Sequence, residues 1–99
     1  MKYALQSTQT FTRWLSSLKD PTTRNKVLSR LDRVSNGNFG DCKAIDAGLF
    51  ELRFVFGAGL RIYYTLRTGQ VVLLLAGGDK SSQQRDIETA RAILKNLGD

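Results

Sequence analysis

Apolar positions recur along this chain with two different periods, and the change from one to the other falls near Asp41. Tyr3 and Leu5 alternate with Lys2 and Ala4 for one short strand, before the polar residues 6–9 break the pattern. Phe11, Trp14, Leu15 and Leu18 then fall at i, i+3, i+4 and i+7, the spacing of one helix face, with Ser7, Thr8 or Thr10 as N-cap. Asp20 and Pro21 open a second helix, because a proline at the first helical position lacks only an N–H that has no partner there. Val27, Leu28, Leu31 and Val34 form its buried stripe, Arg24, Lys26, Arg30 and Arg33 take the remaining faces, and Asn36-Gly37 stops it.

Beyond Asp41 the period is two. Residues 42–45 read as a short strand, Ala47-Gly48 as a turn and residues 49–56 as a long alternating strand. Gly57-Ala58-Gly59 connects it to a strand over 60–67, and Thr68-Gly69 turns into another over 70–76. This last strand is apolar without alternation, as expected of a central strand covered on both faces. Gly77-Gly78 ends it, and Ser81 or Ser82 caps a helix with Ile87, Ala90, Leu94 and Leu97 on one stripe. The order β-α-α-β-β-β-β-α predicts a single α+β domain over residues 1–99. In it a helical hairpin packs on a mainly antiparallel four- to five-stranded sheet with a C-terminal helix.

If the glycine loop is a symmetrical hairpin, Phe54 faces Ile62, Leu52 faces Tyr64 and Phe50 faces Leu66, all apolar. The other face then carries Glu51, Arg53, Arg61, Tyr63 and Arg67, directed away from the core. Guanidiniums bind phosphate bidentately and an interleaved tyrosine can stack on a base, so this mixture suits RNA. An ion-paired, solvated face accommodates the same residues.

Charge sharpens the picture. Lysine and arginine number 15 against 9 acidic residues, a net charge of +6, which is the footprint of a protein that meets phosphate or an acidic partner. Residues 1–40 carry most of the excess, seven basic against two acidic. The absence of histidine and the single Cys42 exclude a histidine triad, an internal disulfide and the usual zinc and iron ligand sets, and no metal or other cofactor is expected. The longest apolar run, residues 71–76, is far short of the roughly 20 residues of a membrane span. Too few apolar residues follow Lys2 for a signal peptide, so a cytoplasmic protein with no membrane partner is expected. Residues 77–82 lead into a helix N-terminus that favours an anion, with Lys80 adding a point charge. They lack the spacing of a nucleotide-binding P-loop.

Three motifs together carry a family likeness: Glu51-Leu52-Arg53, Gly57-x-Gly59-x-Arg61-Ile62-Tyr63-Tyr64, and the run from Leu73 through Lys80-Ser81-Ser82 to Gln83-x-x-Asp86-Ile87. With them, nearly the whole chain resembles the RelE/ParE/HigB superfamily of toxins, in the branch called addiction-module killer proteins. The resemblance implies a toxin held inactive by an antitoxin encoded beside it, often of helix-turn-helix type. It further implies that the freed toxin enters the ribosome and cuts mRNA through attack by the ribose 2′-hydroxyl. Arg61 stands where the family keeps a phosphate-binding arginine, Arg53 at a recurrent arginine of the preceding strand, and Lys80 and Arg85 in the basic segment at the start of the last helix. RelE-type members carry lysines where this chain has Leu49 and Glu51, and a tyrosine in the last helix that has no counterpart here.

Such cleavage needs a base for the 2′-hydroxyl, charge stabilisation on the phosphorane and a proton for the 5′-oxygen. Arginine meets the second demand, since it stays protonated. Arg53 and Arg61 are therefore read as phosphate ligands, and Glu51, Lys80 and Tyr63 as the candidates for proton transfer, Glu51 first. Lys43, Arg67, Gln83 and Arg85 complete the expected RNA contacts, and the basic face of the second helix is expected to meet ribosomal RNA or an acidic antitoxin. Two other readings stand beside the metal-independent endoribonuclease: a ParE-like poison of DNA gyrase, and a pseudo-toxin that only binds its antitoxin.

Overall fold

The computed structural model describes residues 2–97. Its elements are β1 (Ala4–Ser7), α1 (Gln9–Ser17), α2 (Pro21–Ser35), β2 (Cys42–Asp46), β3 (Leu49–Arg53), β4 (Arg61–Arg67), β5 (Val71–Gly78), a 3₁₀ turn (Lys80–Ser82) and α3 (Gln83–Asn96). The five strands lie in the order β1-β5-β4-β3-β2. β1 runs parallel to β5 and every other pair is antiparallel. The α+β class and the element order are those the hydrophobic pattern predicts. No helix among the described residues is long and apolar enough to cross a membrane.

Caps start the first two helices where the sequence places them. Thr8 Oγ1 accepts the Phe11 N–H at 3.1 Å and donates to the Leu75 carbonyl at 2.8 Å, so one side chain caps α1 and ties it to β5. Asp20 accepts from the Thr22 N–H and the Thr23 hydroxyl at the start of α2. These bonds, the hydroxyl's foremost, hold its carboxyl below the usual carboxylate range.

The sheet is covered on both sides. Phe11 of α1 and Val27, Leu31 and Val34 of α2 pack with Leu52, Ile62, Tyr64, Val72 and Leu74 on one face, and Trp14, Leu15 and Leu18 join them. On the other, Leu49, Tyr63, Leu73, Leu75 and Ala76 pack under α3 through Ala90, with Ile87, Ile93 and Leu94 at its margins. Both faces of β5 are therefore buried, which explains its unbroken apolar run.

Four details depart from the sequence reading. Leu28 is 45% exposed and Arg30 takes its place in the buried stripe at 8%, so the inward face of α2 is Val27, Arg30, Leu31, Val34. Next, β3 ends at Arg53 rather than running to Phe56, and the register is shifted: Leu52 faces Ile62 and Phe50 faces Tyr64. The turn is asymmetric, with the Gly59 N–H bonded to the Phe56 carbonyl, both Gly57 and Gly59 at positive φ, and Val55 thrown out to 95% exposure. A two-residue shift keeps the parity of the strand, so each side chain stays on its predicted face.

The third departure concerns Gly77 and Gly78, which do not end β5 but are its last paired residues, opposite Ile62 and Arg61. A Cβ on Gly77 would lie 2.3 Å from the Trp14 ring, and one on Gly78 would lie 1.8 Å from Asp86 Oδ2. Helices from opposite faces close onto bare backbone at successive residues, and only glycine permits this. Finally, the face bearing Glu51, Arg61 and Tyr63 is not directed away from the core: α3 covers it, and Glu51 and Tyr63 have no accessible surface.

Candidate functional site

Sheet register brings the site together. Lys43, Glu51 and Tyr63 form one cross-strand row over β2, β3 and β4, and Arg53, Arg61 and Gly78 form the next over β3, β4 and β5. Because paired residues point to the same side, the polar residues converge at the end of the sheet where the glycine turn meets the start of the 3₁₀ turn. The Lys80 N–H donates to the Ala58 carbonyl at 3.2 Å, and a Cβ on Gly59 would lie 3.3 Å from Lys80 Cβ. That close approach seats Lys80 beside Arg61.

The resulting cleft, about 450 Å³, is lined by Arg53, Arg61 and Lys80, by the turn residues Gly57, Ala58 and Gly59, and by Asp41, Phe54 and Val55. Three cations therefore face a single carboxylate among its lining residues. Beneath the cleft lies Glu51. Its Oε1 is 3.7 Å from Arg53 Nε, its Oε2 is 3.8 Å from Arg61 Nε, and Gln83 Nε2 donates to Oε2 at 2.9 Å. Arg61 Nη1 reaches the Gly59 and Leu60 carbonyls only at 3.4 Å, and Arg61 Nε, Glu51 Oε1 and the Tyr63 hydroxyl have no hydrogen-bond partner. Burial, and then the Glu51 charge beside it, push the Tyr63 hydroxyl's pKa far above its ordinary value, so it is protonated at physiological pH.

A second groove of about 440 Å³ continues from the first, sharing Asp41, Arg53, Phe54 and Val55 and reaching Lys26 and Arg33 on α2. Here the basic helix face divides. Arg30 is structural: its guanidinium donates to the carbonyls of Phe39, Asp41 and Arg53, tying the 38–41 loop and the end of β3 to α2. Arg24 is spent on the Leu18 carbonyl between the helices. Lys26 lies 4.4 Å from the centre of the Phe56 ring and lines the groove with Arg33.

Of the residues expected from sequence, Glu51, Arg53, Arg61, Tyr63, Lys80 and Gln83 are assembled here. Tyr63 lies beneath α3 with no face free to stack on a base, because the helix that the alternation could not place covers it. Arg67 sits at the opposite end of β4, opposite Val71, and lines a separate depression with Leu94 and Leu97. Lys43 is exposed on edge strand β2, in the row of Glu51. Arg85 points outward, its side chain 79% exposed and 3.9 Å from Asp86. Asp41, Phe54 and Val55 were not marked by any sequence motif, since they reach the cleft through the asymmetric turn and the Arg30 anchor.

The 3₁₀ turn that carries Lys80 is fixed by a capping box. Asp79 accepts from the Ser81 and Ser82 N–H groups while Ser82 Oγ accepts the Asp79 N–H. The Ser81 hydroxyl bond in particular lowers the Asp79 pKa, so the cap stays ionised.

The family model for phage-derived Gp49-like proteins (DUF891) matches residues 13–97. An uncharacterized protein of Haemophilus influenzae is 43% identical over 98 residues, covering 99% of both chains. Among solved structures, a chain of the toxin-antitoxin complex RelBE2 from Mycobacterium tuberculosis superposes with a TM-score of 0.65 at 21% identity, over 81% of this chain and all of that one. A mutant of the Escherichia coli toxin RelE in the free state gives 0.62 at 16% identity, over 89% and 97%. These two share the fold described above, and the match of the family model over α2, the whole of β2 to β5 and α3 places the chain in the phage-derived Gp49-like family, a family of RelE-like toxins.

Proposed function

We propose that this toxin is an endoribonuclease that inhibits translation by cutting mRNA on the ribosome, without a metal, through attack of a ribose 2′-hydroxyl on the adjacent phosphodiester. The observation that carries the reading is the convergence of Arg53, Arg61 and Lys80 on one cleft at the rim of a rigid sheet. Two guanidiniums and an ammonium there match the charge that develops on a pentacovalent phosphorane, and they keep it in a partly desolvated site where each contact is strengthened. Arg53 and Arg61 bind the scissile phosphate, and Lys80 completes the positive rim. The groove past Val55 to Lys26 and Arg33 takes the flanking nucleotides, whose phosphates are held by the exposed cations of α2. Arg85 and Lys43 meet RNA outside the cleft. An antitoxin is the second partner, in keeping with the toxin-antitoxin complex among the structural relatives.

Controlled expression of the chain tests this reading. Amino-acid incorporation falls first and primer extension finds new mRNA ends, and Arg53→Ala, whose side chain is 39% exposed and separable from the core, abolishes both. Supercoiling changes that precede any loss of translation, with mRNA intact, overturn it in favour of a gyrase poison.

A further inference from the structure

Among the described residues, Glu51 is the only one whose carboxylate lies within 4 Å of both arginines of the cleft, and it is wholly buried. A general base must come within hydrogen-bond reach of the proton it removes, directly or through one water. Glu51 is walled off from the cleft by the residues it serves. One oxygen faces Arg53 Nε at 3.7 Å, and the other faces Arg61 Nε at 3.8 Å while accepting from Gln83 at 2.9 Å. Tyr63 stands beside it in the next strand of the same row.

The spacing is informative. At 3.7 and 3.8 Å the two arginine contacts are electrostatic rather than hydrogen-bonded, and Arg61 Nε is left without a partner although the residue is only 8% exposed. Such contacts hold each guanidinium at its Nε edge: the buried Arg61 Nε–H is turned to Glu51, Arg61 Nη1 makes only long 3.4 Å bonds to carbonyls, and the Nη groups are the ones left for phosphate oxygens. Gln83, the first residue of α3, supplies the only hydrogen bond made by the Glu51 carboxylate among the described residues, and so fixes its plane.

We infer that Glu51 is a positioning residue: held by Gln83, its buried carboxylate aims the Arg53 and Arg61 guanidiniums into the cleft to receive a phosphodiester, and it takes no proton from RNA. The inference deepens the proposed ribonuclease site and rests on that reading for its substrate. The orientation of the arginines can be read without RNA.

Three full-length chains decide it: wild type, Glu51→Gln and Gln83→Met. The second variant leaves the carboxylate in place and removes only its anchor, so it remains informative if Glu51→Gln does not fold. ¹⁵N relaxation of the arginine Nε–H groups is measured first, without RNA. Arg53 and Arg61 are expected to be ordered in the wild type and mobile in both variants. Binding of a short 2′-O-methyl RNA, which lacks the attacking hydroxyl, should weaken about tenfold or more in both, the scale of one lost charge-assisted contact. Cleavage should slow in both with the shape of its pH profile unchanged.

Equal arginine order in all folded chains overturns the inference. So does a Glu51→Gln chain that binds the 2′-O-methyl RNA as tightly as wild type while losing the acidic limb of the pH-rate profile, the signature of a true base. A wild type that neither binds nor cuts RNA removes the proposed substrate, and the relaxation comparison then still decides whether Glu51 orients the arginines.

Discussion

Truncating Arg61 separates a buried arginine from a surface one by magnitude alone. A surface strand residue replaced by alanine changes stability by about ±0.5 kcal/mol. Arg61 is different: its side chain is 10% exposed and stands 3.8 Å from a carboxylate with no accessible surface. Coulomb's law at that distance, with an effective dielectric near 20, gives about 4 kcal/mol of attraction. Removing one partner of a buried pair costs about 3–5 kcal/mol, because the other charge stays desolvated. Glu51 retains the hydrogen bond from Gln83 and the contact with the half-exposed Arg53, which places Arg61→Ala at the low end, about 3 kcal/mol. For a domain of this size that lowers Tm by about 12–24 °C. Urea denaturation followed by circular dichroism at neutral pH measures it, and an unchanged m-value shows that the loss is one of stability. Replacing both partners, Glu51→Leu with Arg61→Met, should return the protein to within about 1 kcal/mol of wild type, since the pair's attraction and its desolvation cost vanish together. A single variant within about 1 kcal/mol of wild type refutes the buried-pair argument, whatever the protein does to RNA.

Gly78→Ala places a Cβ at 1.8 Å from Asp86 Oδ2 and 2.7 Å from Ser82 Oγ, so the Asp86 side chain must swing off its bond with Ser82 or α3 must shift; a loss of about 1–3 kcal/mol, the usual cost of overpacking, is expected in the same urea assay. Alkaline stability provides a further check. Burial, foremost, raises the pKa of Tyr63 and of Tyr64 in the folded chain, while the unfolded chain ionises near pH 10. Their contribution is fully present below about pH 10 and is lost as pH rises above it toward the folded values, because only the unfolded state releases protons there. The slope approaches about −2.7 kcal/mol per pH unit for the two hydroxyls, and Tyr63→Phe should halve it. An unchanged slope in that variant places the Tyr63 hydroxyl in water.

Local physics made most of this fold legible. Asp20 announces its helix, and Thr8 is one of three hydroxyls offered to the other, because a side-chain oxygen must meet unpaired N–H groups, and the α1 stripe of Phe11, Trp14, Leu15 and Leu18 lies in the core as its spacing implies. Strand alternation fixed which side chains share a face, and that assignment survived the register shift because parity is insensitive to a step of two. The grouping of Glu51, Arg53, Arg61 and Tyr63 was therefore readable from sequence. What lies over that face was not. Alternation separates two faces but does not say whether a helix distant in sequence will cover the polar one, and the docking of α3 turned an apparent solvent face into a buried pair under a second core. The same limit governs α2: Leu28 and Arg30 both border the stripe, and only the carbonyls of Phe39, Asp41 and Arg53, brought there by the tertiary fold, make the arginine the better buried residue. Gly77 and Gly78 read as a stop signal because glycine usually is one. They continue the strand because Trp14 and Asp86 close in from opposite sides, a demand for space that arises only when three elements meet.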